Sequence, residues 1–528
     1  MLLPFASLVY QASKGSPGLW LHLVSTVLPV ALVDTLLLLG GVGLLAGALG
    51  TMLAWLVTAF EFRGRWVLEW ALLLPLAVPT YIIAYAYLDI LHPIGPVQGV
   101  IRWVLGYSSP REFRLPDIRS MTGCVLLLGF VLYPYVYIPT RAIFLMQSAS
   151  LIEVSRTLGV SRRGIFWRVA LPLARPAVAV GVSLALMEAL NDIGAAEFLG
   201  VRTLTVSIYT TWITRSDLPG SAQIALFLLL FVVALVAMER WARRRQRYSV
   251  SAQRSRVFEP RRVGGAPGVL LLLAGMLPVL FGFGAPAIFL LGEAYKRWRF
   301  AGLSERFFSE MTNTLLFAAT ATILTVAAGL IVAYAGRVSG SRMAPWFYRL
   351  STMGYAAPGT VVAIGVLIVA ASFDGLFDRA TKQWFANSAG LLLIGSGGAV
   401  LYAYATRFLA ISAGSIEAGL SRIPRAFDHA ARTLGTSAGG TLFRIHLPLS
   451  KASLAAGALL VFVDCVKELP ATLLLRPLNF ETFATHLYGE AARGTYEEGA
   501  IAALAIVVIG ILPVILLAQV GRRKAWAR

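Results

Sequence analysis

Apolar stretches long enough to cross a bilayer recur along almost the whole chain, and no other feature narrows the possible folds as far. A helix needs about 20 residues to cross roughly 30 Å of hydrocarbon. Eleven stretches of the 528 residues meet that length, in 30–58, 67–91, 120–140, 176–199, 220–239, 267–291, 312–336, 350–371, 388–410, 453–475 and 498–520. Backbone polar groups in lipid must be satisfied within the segment, so unbroken runs suit helices and not the short alternating strands of a barrel. The expected fold is an all-α polytopic membrane protein with about 11 spans. Met1 to Tyr10 is apolar but too short to span, and it lacks the basic start and small-residue cleavage site of a secretory signal. It reads as an N-terminal stub.

Composition agrees, with 58% hydrophobic and 14% charged residues. Lys and Arg number 46 against 26 Asp and Glu, a formal charge of +20. Such a balance can signal nucleic acid, but these basic residues lie between apolar runs and concentrate in alternate loops, so they read as a topology signal. The basic set of loops is assigned to the cytoplasm, and no nucleic-acid partner is expected. That set includes the 240–262 stretch, with Arg240, Arg243, Arg244, Arg245 and Arg247, and the tail with Arg522, Arg523 and Lys524. Two cysteines, Cys124 and Cys465, both in apolar runs, exclude a disulfide framework or thiolate metal site.

The chain is also a duplication. Arg156-Thr157-Leu158-Gly159 recurs as Arg432-Thr433-Leu434-Gly435, and Leu171-Pro172-Leu173 as Leu447-Pro448-Leu449, both at an offset of 276 that needs no gap from 153 to 197. Earlier, at an offset of 279, Thr35-Leu36-Leu37 matches Thr314-Leu315-Leu316, and Gly50 and Pro79 match Gly329 and Pro358. The expected organisation is a first half over 1–239, a basic cytoplasmic linker over 240–262 and a second half over 263–528. An even number of spans separates corresponding loops, so the repeat is parallel, about an axis along the membrane normal.

The loop over 141–176, repeated over 411–452, is basic yet patterned. Leu151, Val154 and Leu158, then Ile165, Phe166 and Val169, recur at helical spacing, which predicts two short amphipathic helices. Gly159 and Gly435 sit where a glycine stops a helix, Ser161 and Ser437 where a second helix is capped, and Pro172 and Pro448 where that helix is expected to break. One copy alone could be a helix pair lying on lipid headgroups. Two copies at matching positions read as devices that transmit force.

At these residues the sequence resembles the permeases of binding-protein-dependent ABC importers, whose loop signature is Glu-Ala-Ala, then a glycine, then Ile-x-Leu-Pro. Glu153, Arg156, Gly159, Leu171 and Pro172 keep that spacing in the first copy. His429, Ala430, Ala431, Arg432, Gly435, Leu447 and Pro448 keep it in the second, with His429 where the family has glutamate. The resemblance implies the type I importer fold, and that each loop docks on one of two copies of a cytoplasmic ABC ATPase. The chain has no P-loop of its own, since none of its lysines follows a glycine. It is expected to be a non-catalytic subunit without a cofactor or resident metal.

Ionisable residues inside spans are functional candidates by default. The fourth span carries Glu188, Asn191, Asp192 and Glu197, and the tenth carries Asp464, Lys467 and Glu468. Glu188 and Asp192, like Asp464 and Glu468, are four residues apart, which puts each pair on one helix face. They read either as a polar pathway or as a network that locks the structure, with Lys467 neutralising a neighbouring acid.

Over about 20–515, notably Leu186 to Gly194, Val463 to Pro477 and Trp70 to Tyr87, the sequence is similar to the fused ferric-iron permeases of this class. That resemblance implies Fe(III) import across the bacterial cytoplasmic membrane, with a periplasmic or lipid-anchored substrate-binding protein as partner and membrane lipid around the spans. Thiamine or another small solute is the competing cargo, and a secondary transporter the competing class. Inverted repeats are typical of the latter, against the parallel repeat read here.

Overall fold

The computed structural model describes residues 2–16, 18–146, 155, 157, 161–244, 260–339, 343–385 and 390–526. Among them, ten helices are long and apolar enough to cross a membrane, and a bent pair, Arg65–Ala77 with Thr80–Ile90 at 93°, makes an eleventh. The bend falls at Val78-Pro79, where extended backbone and a proline without an amide proton interrupt the helix. The only strand pairing among the described residues is a two-residue parallel contact of Phe60–Glu61 with Arg261–Arg262.

Two span boundaries differ from the hydropathy reading in the same way. The run at 176–199 is a helix over Phe166–Asn191 followed by a separate short helix Gly194–Phe198. The run at 453–475 is a helix over Ala438–Val466 followed by Pro470–Leu475. An apolar window cannot register these breaks, because the residues on both sides are equally apolar.

The expected break at the repeated prolines does not occur. Pro172 and Pro448 occupy the second position of the helices Leu171–Asn191 and Leu447–Val466, and each is entered through a π-helical turn, Phe166–Ala170 or Leu442–His446. A wider i→i+5 turn leaves room for the proline ring, so the helix continues instead of stopping.

The chain forms two compact units, neither contiguous in sequence. One comprises 1–27, 207–229 and 301–486, and the other 28–206, 230–300 and 487–528. In the first, the helix Leu3–Ser13 packs on Gly359–Phe385, and Ser7 donates a hydrogen bond of 2.8 Å to the Gly365 carbonyl. In the second, the helix Tyr496–Trp526 packs on the 3-10 turn Leu74–Ala77. Among the described residues, six helices long and apolar enough to cross a membrane lie between residues 161 and 426.

Candidate functional site

In the second patterned loop, the helix Ala426–Thr433 leaves His429, Ala430 and Arg432 exposed and turns Ala431 inward. Gly435 follows in the left-handed region at φ 72°, where a side chain would be strained. Ser437 then caps the next helix, accepting from the Gly440 amide at 3.2 Å, and Ser161 repeats this with the Gly164 amide at the same distance. Leu447 and Pro448, like Leu171 and Pro172, open the long helices that follow. Glu153, Arg156 and Gly159 lie outside the described residues.

The second loop is tied to its spans by charge. Asp428 accepts from Arg337 Nη2 at 2.6 Å, and its other oxygen lies 3.0 Å from Nε2 of the fully buried His446. Arg337, near the end of the helix Glu305–Val338, also donates to the carbonyls of Leu420 at 2.5 Å and Ile423 at 3.0 Å. One guanidinium thus holds the end of one span, the start of the loop and the helix Ala426–Thr433 together. Burial would raise the Asp428 pKa, but Arg337, His446 and Arg432 outweigh it and hold the carboxyl below its ordinary value.

The first repeat has no such ion set at the corresponding positions. Thr58 stands for Arg337, Ala170 for His446, and Trp55 for Tyr334, whose ring lies 5.6 Å from that of His446. Thr58 donates only to the Ala54 carbonyl of its own helix, whereas Trp55 packs against Phe144 at 5.3 Å and Phe166 at 5.4 Å between centroids. Among the described residues, the first repeat thus places aromatic packing where the second has a charge network.

The intramembrane acids sit at chain breaks. The helix Leu171–Asn191 ends before Asp192, and Leu447–Val466 before Glu468, so neither acid shares a continuous helix face with Glu188 or Asp464. Asp192 instead accepts from the Ala195 amide at 2.7 Å, capping the short helix Gly194–Phe198, and from the Thr80 hydroxyl at the start of the bent span. Glu468 accepts from the Ala471 and Thr472 amides, both at 3.0 Å, and from Arg407 Nη1 at 2.5 Å. Each carboxylate therefore satisfies the first free amides of a helix that restarts in an apolar setting. Gly359 stands in the second repeat where Thr80 stands in the first, and a Cβ there would meet Arg407 Nη1 at 2.6 Å. The missing side chain leaves room for the arginine.

The remaining candidates are dispersed. Asp464 pairs with Lys467 at 2.9 Å. Glu197 accepts from the Tyr488 hydroxyl, whose ring stacks on Phe198 at 5.5 Å. Glu188 and Asn191 are half-buried on the helix Leu171–Asn191. Sequence reasoning passed over Arg407, although an arginine inside an apolar run is itself a signal. It also passed over Arg337, Asp428 and His446, which become a set only when residues 337, 428 and 446 meet in space.

The chain is a duplicated, polytopic helical membrane protein with a polar, glycine-containing loop sequence in each repeat. The chain belongs to the family described as binding-protein-dependent transport system inner membrane component, which matches it twice, over residues 46–248 and 325–525. It is a multi-pass inner-membrane permease. Relatives include the Fe(3+)-transport system permease protein FbpB 2 of Haemophilus influenzae, 25% identical over 92% of this chain and 89% of that protein. The ferric transport system permease protein FbpB of Actinobacillus pleuropneumoniae is 22% identical over 97% of this chain and 74% of its own length. A probable molybdenum ABC transporter permease of Haloferax volcanii is 28% identical but covers 45% of this chain, matching 83% of its own.

Proposed function

We propose that the chain is the permease of an ATP-driven importer of ferric iron. Cargo arrives from an external binding protein, and two copies of a separate cytoplasmic ATPase dock on the two patterned loops. The observation that carries the cargo is coverage. Two ferric permeases align along 92% and 97% of the chain, across both repeats, whereas the molybdenum relative aligns with less than half. In this reading, ATP closes the ATPase dimer, both loops move, and the permease passes from inward-open to outward-open. Glu188, Asn191, Asp464 and Lys467 are candidates to line the polar route, while Asp192 and Glu468 hold the broken helices in register.

Proteoliposomes containing the permease, its ATPase and its binding protein should accumulate Fe(III) only with ATP, and should not accumulate thiamine, molybdate or sulfate. Uptake that persists without the ATPase would instead favour a secondary transporter. ATP-dependent uptake of one of the other solutes would replace the cargo.

A further inference from the structure

A cavity of about 630 Å³ opens between the helices Glu305–Val338, Ala344–Ser351 and Gly398–Leu420, beside the second coupling helix. Its polar lining consists of Arg337, Arg349, Arg425, Tyr348, Glu417 and Ser421. Glu417 is engaged by the Tyr348 hydroxyl, and Arg337 by Asp428. Arg349 and Arg425 have no carboxylate within ion-pair distance among the described residues. Even with Glu417 and Asp428 set against the three arginines, the cavity keeps a net positive charge.

The first repeat is filled at the corresponding place. Arg65, Glu69 and Arg141 stand for Ala344, Tyr348 and Glu417, and they form a chain of ion pairs at 2.9 and 2.7 Å. There the helix Gly265–Val279 packs on Arg65–Ala71 and Leu68 is fully buried, whereas its counterpart Phe347 is 64% exposed beside an equally exposed Trp346. Large exposed aromatics next to a basic cavity at the loop end of the spans are the chemistry of a membrane interface.

We propose that this cavity binds the phosphate headgroup of an anionic phospholipid from the inner leaflet. The headgroup sits between Arg349 and Arg425, with acyl chains running along Trp346 and Phe347. Because Arg337 lines the cavity and also holds Asp428, a bound headgroup lies beside the guanidinium that anchors the helix Ala426–Thr433 and bears on that anchor. Binding does not depend on the coupling reading; its effect on transport rests on it.

The test uses the full complex in nanodiscs of phosphatidylcholine and phosphatidylglycerol, counting retained lipid by native mass spectrometry. Arg349→Gln with Arg425→Gln should lower the ratio of retained phosphatidylglycerol to phosphatidylcholine by about fivefold per arginine, which is about 1 kcal/mol per basic residue at an anionic surface. Gly336→Leu keeps every charge but fills the cavity, since a Cβ there meets nothing within 4 Å, and it should lower the ratio as well. Arg422→Gln, an exposed arginine outside the lining, should not.

Wild-type retention in the first two variants, or equal loss in Arg422→Gln, would overturn the site. Displacement by millimolar inorganic phosphate would assign it to a soluble anion, and lipid retained only without the ATPase would make it a protein docking surface; either result overturns the proposal. Loss of lipid with unchanged uptake would leave binding intact and remove its effect on coupling.

Discussion

Asp428→Asn should lower ATP-driven uptake about tenfold while leaving the permease inserted and associated with its ATPase. Asn cannot supply the charge that holds Arg337 at 2.6 Å, and a charge-assisted hydrogen bond of this kind contributes about 1.5–3 kcal/mol. Without it, the helix Ala426–Thr433 moves independently of Glu305–Val338, and the ATPase turns over without moving the span. Arg337→Gln should do at least as much, because it also loses the bonds to the Leu420 and Ile423 carbonyls, and the double variant should be no worse than Arg337→Gln alone. Additive losses would mean that the two residues act separately. Since the Asp428 pKa lies below its ordinary 3.8, the link is complete above that pH and is lost only as pH falls through the lower, folded value. The Asp428 carboxylate should therefore stay ionised, and its pair with Arg337 intact, across neutral and mildly acidic pH.

The second large effect concerns the paired chain breaks. Glu468→Gln should destabilise the detergent-solubilised protein by about 3–5 kcal/mol, because it strands the Arg407 guanidinium in a buried setting. Both partners are enclosed, with the Glu468 side chain 1% exposed and that of Arg407 10%. Asp192→Asn in the first repeat should cost only about 1–2 kcal/mol, because its partners, the Thr80 hydroxyl and the Ala195 amide, are neutral and an amide oxygen can still accept from them. Replacing Arg407 by Met together with Glu468→Gln should recover most of the first loss. Thermal unfolding of the three variants beside the wild type gives the ordering; equal losses at 192 and 468 would show that the charge on Arg407 does not matter.

Much of this architecture was legible in the sequence, for definite reasons. Hydropathy located the spans because lipid admits few alternatives to a helix, and the repeat was visible because Arg-Thr-Leu-Gly and Leu-Pro-Leu recur at one spacing. The break before Asp192 was not legible, because Ile193 to Leu199 is as apolar as the helix before it except for Glu197. The proline reading failed because a π turn accommodates Pro172 and Pro448, and no local residue type announces such a turn. His429 drew attention as a departure from the family signature, yet the carboxylate that ties this helix to its neighbours stands one residue earlier, at Asp428. Its partners lie on two other elements, so only the folded chain reveals them.

The most direct test of the account is cross-linking of the two loops to the ATPase. Thr157 and Thr433 occupy the same place in the repeat and are both exposed, while the native Cys124 and Cys465 are buried, so a cysteine introduced at either threonine would react selectively. Thr157→Cys and Thr433→Cys should each form a disulfide with an ATPase subunit carrying a cysteine at its docking cleft, with a yield that changes on adding ATP. An active complex in which neither position cross-links would contradict the claim that these loops are where the motor pushes.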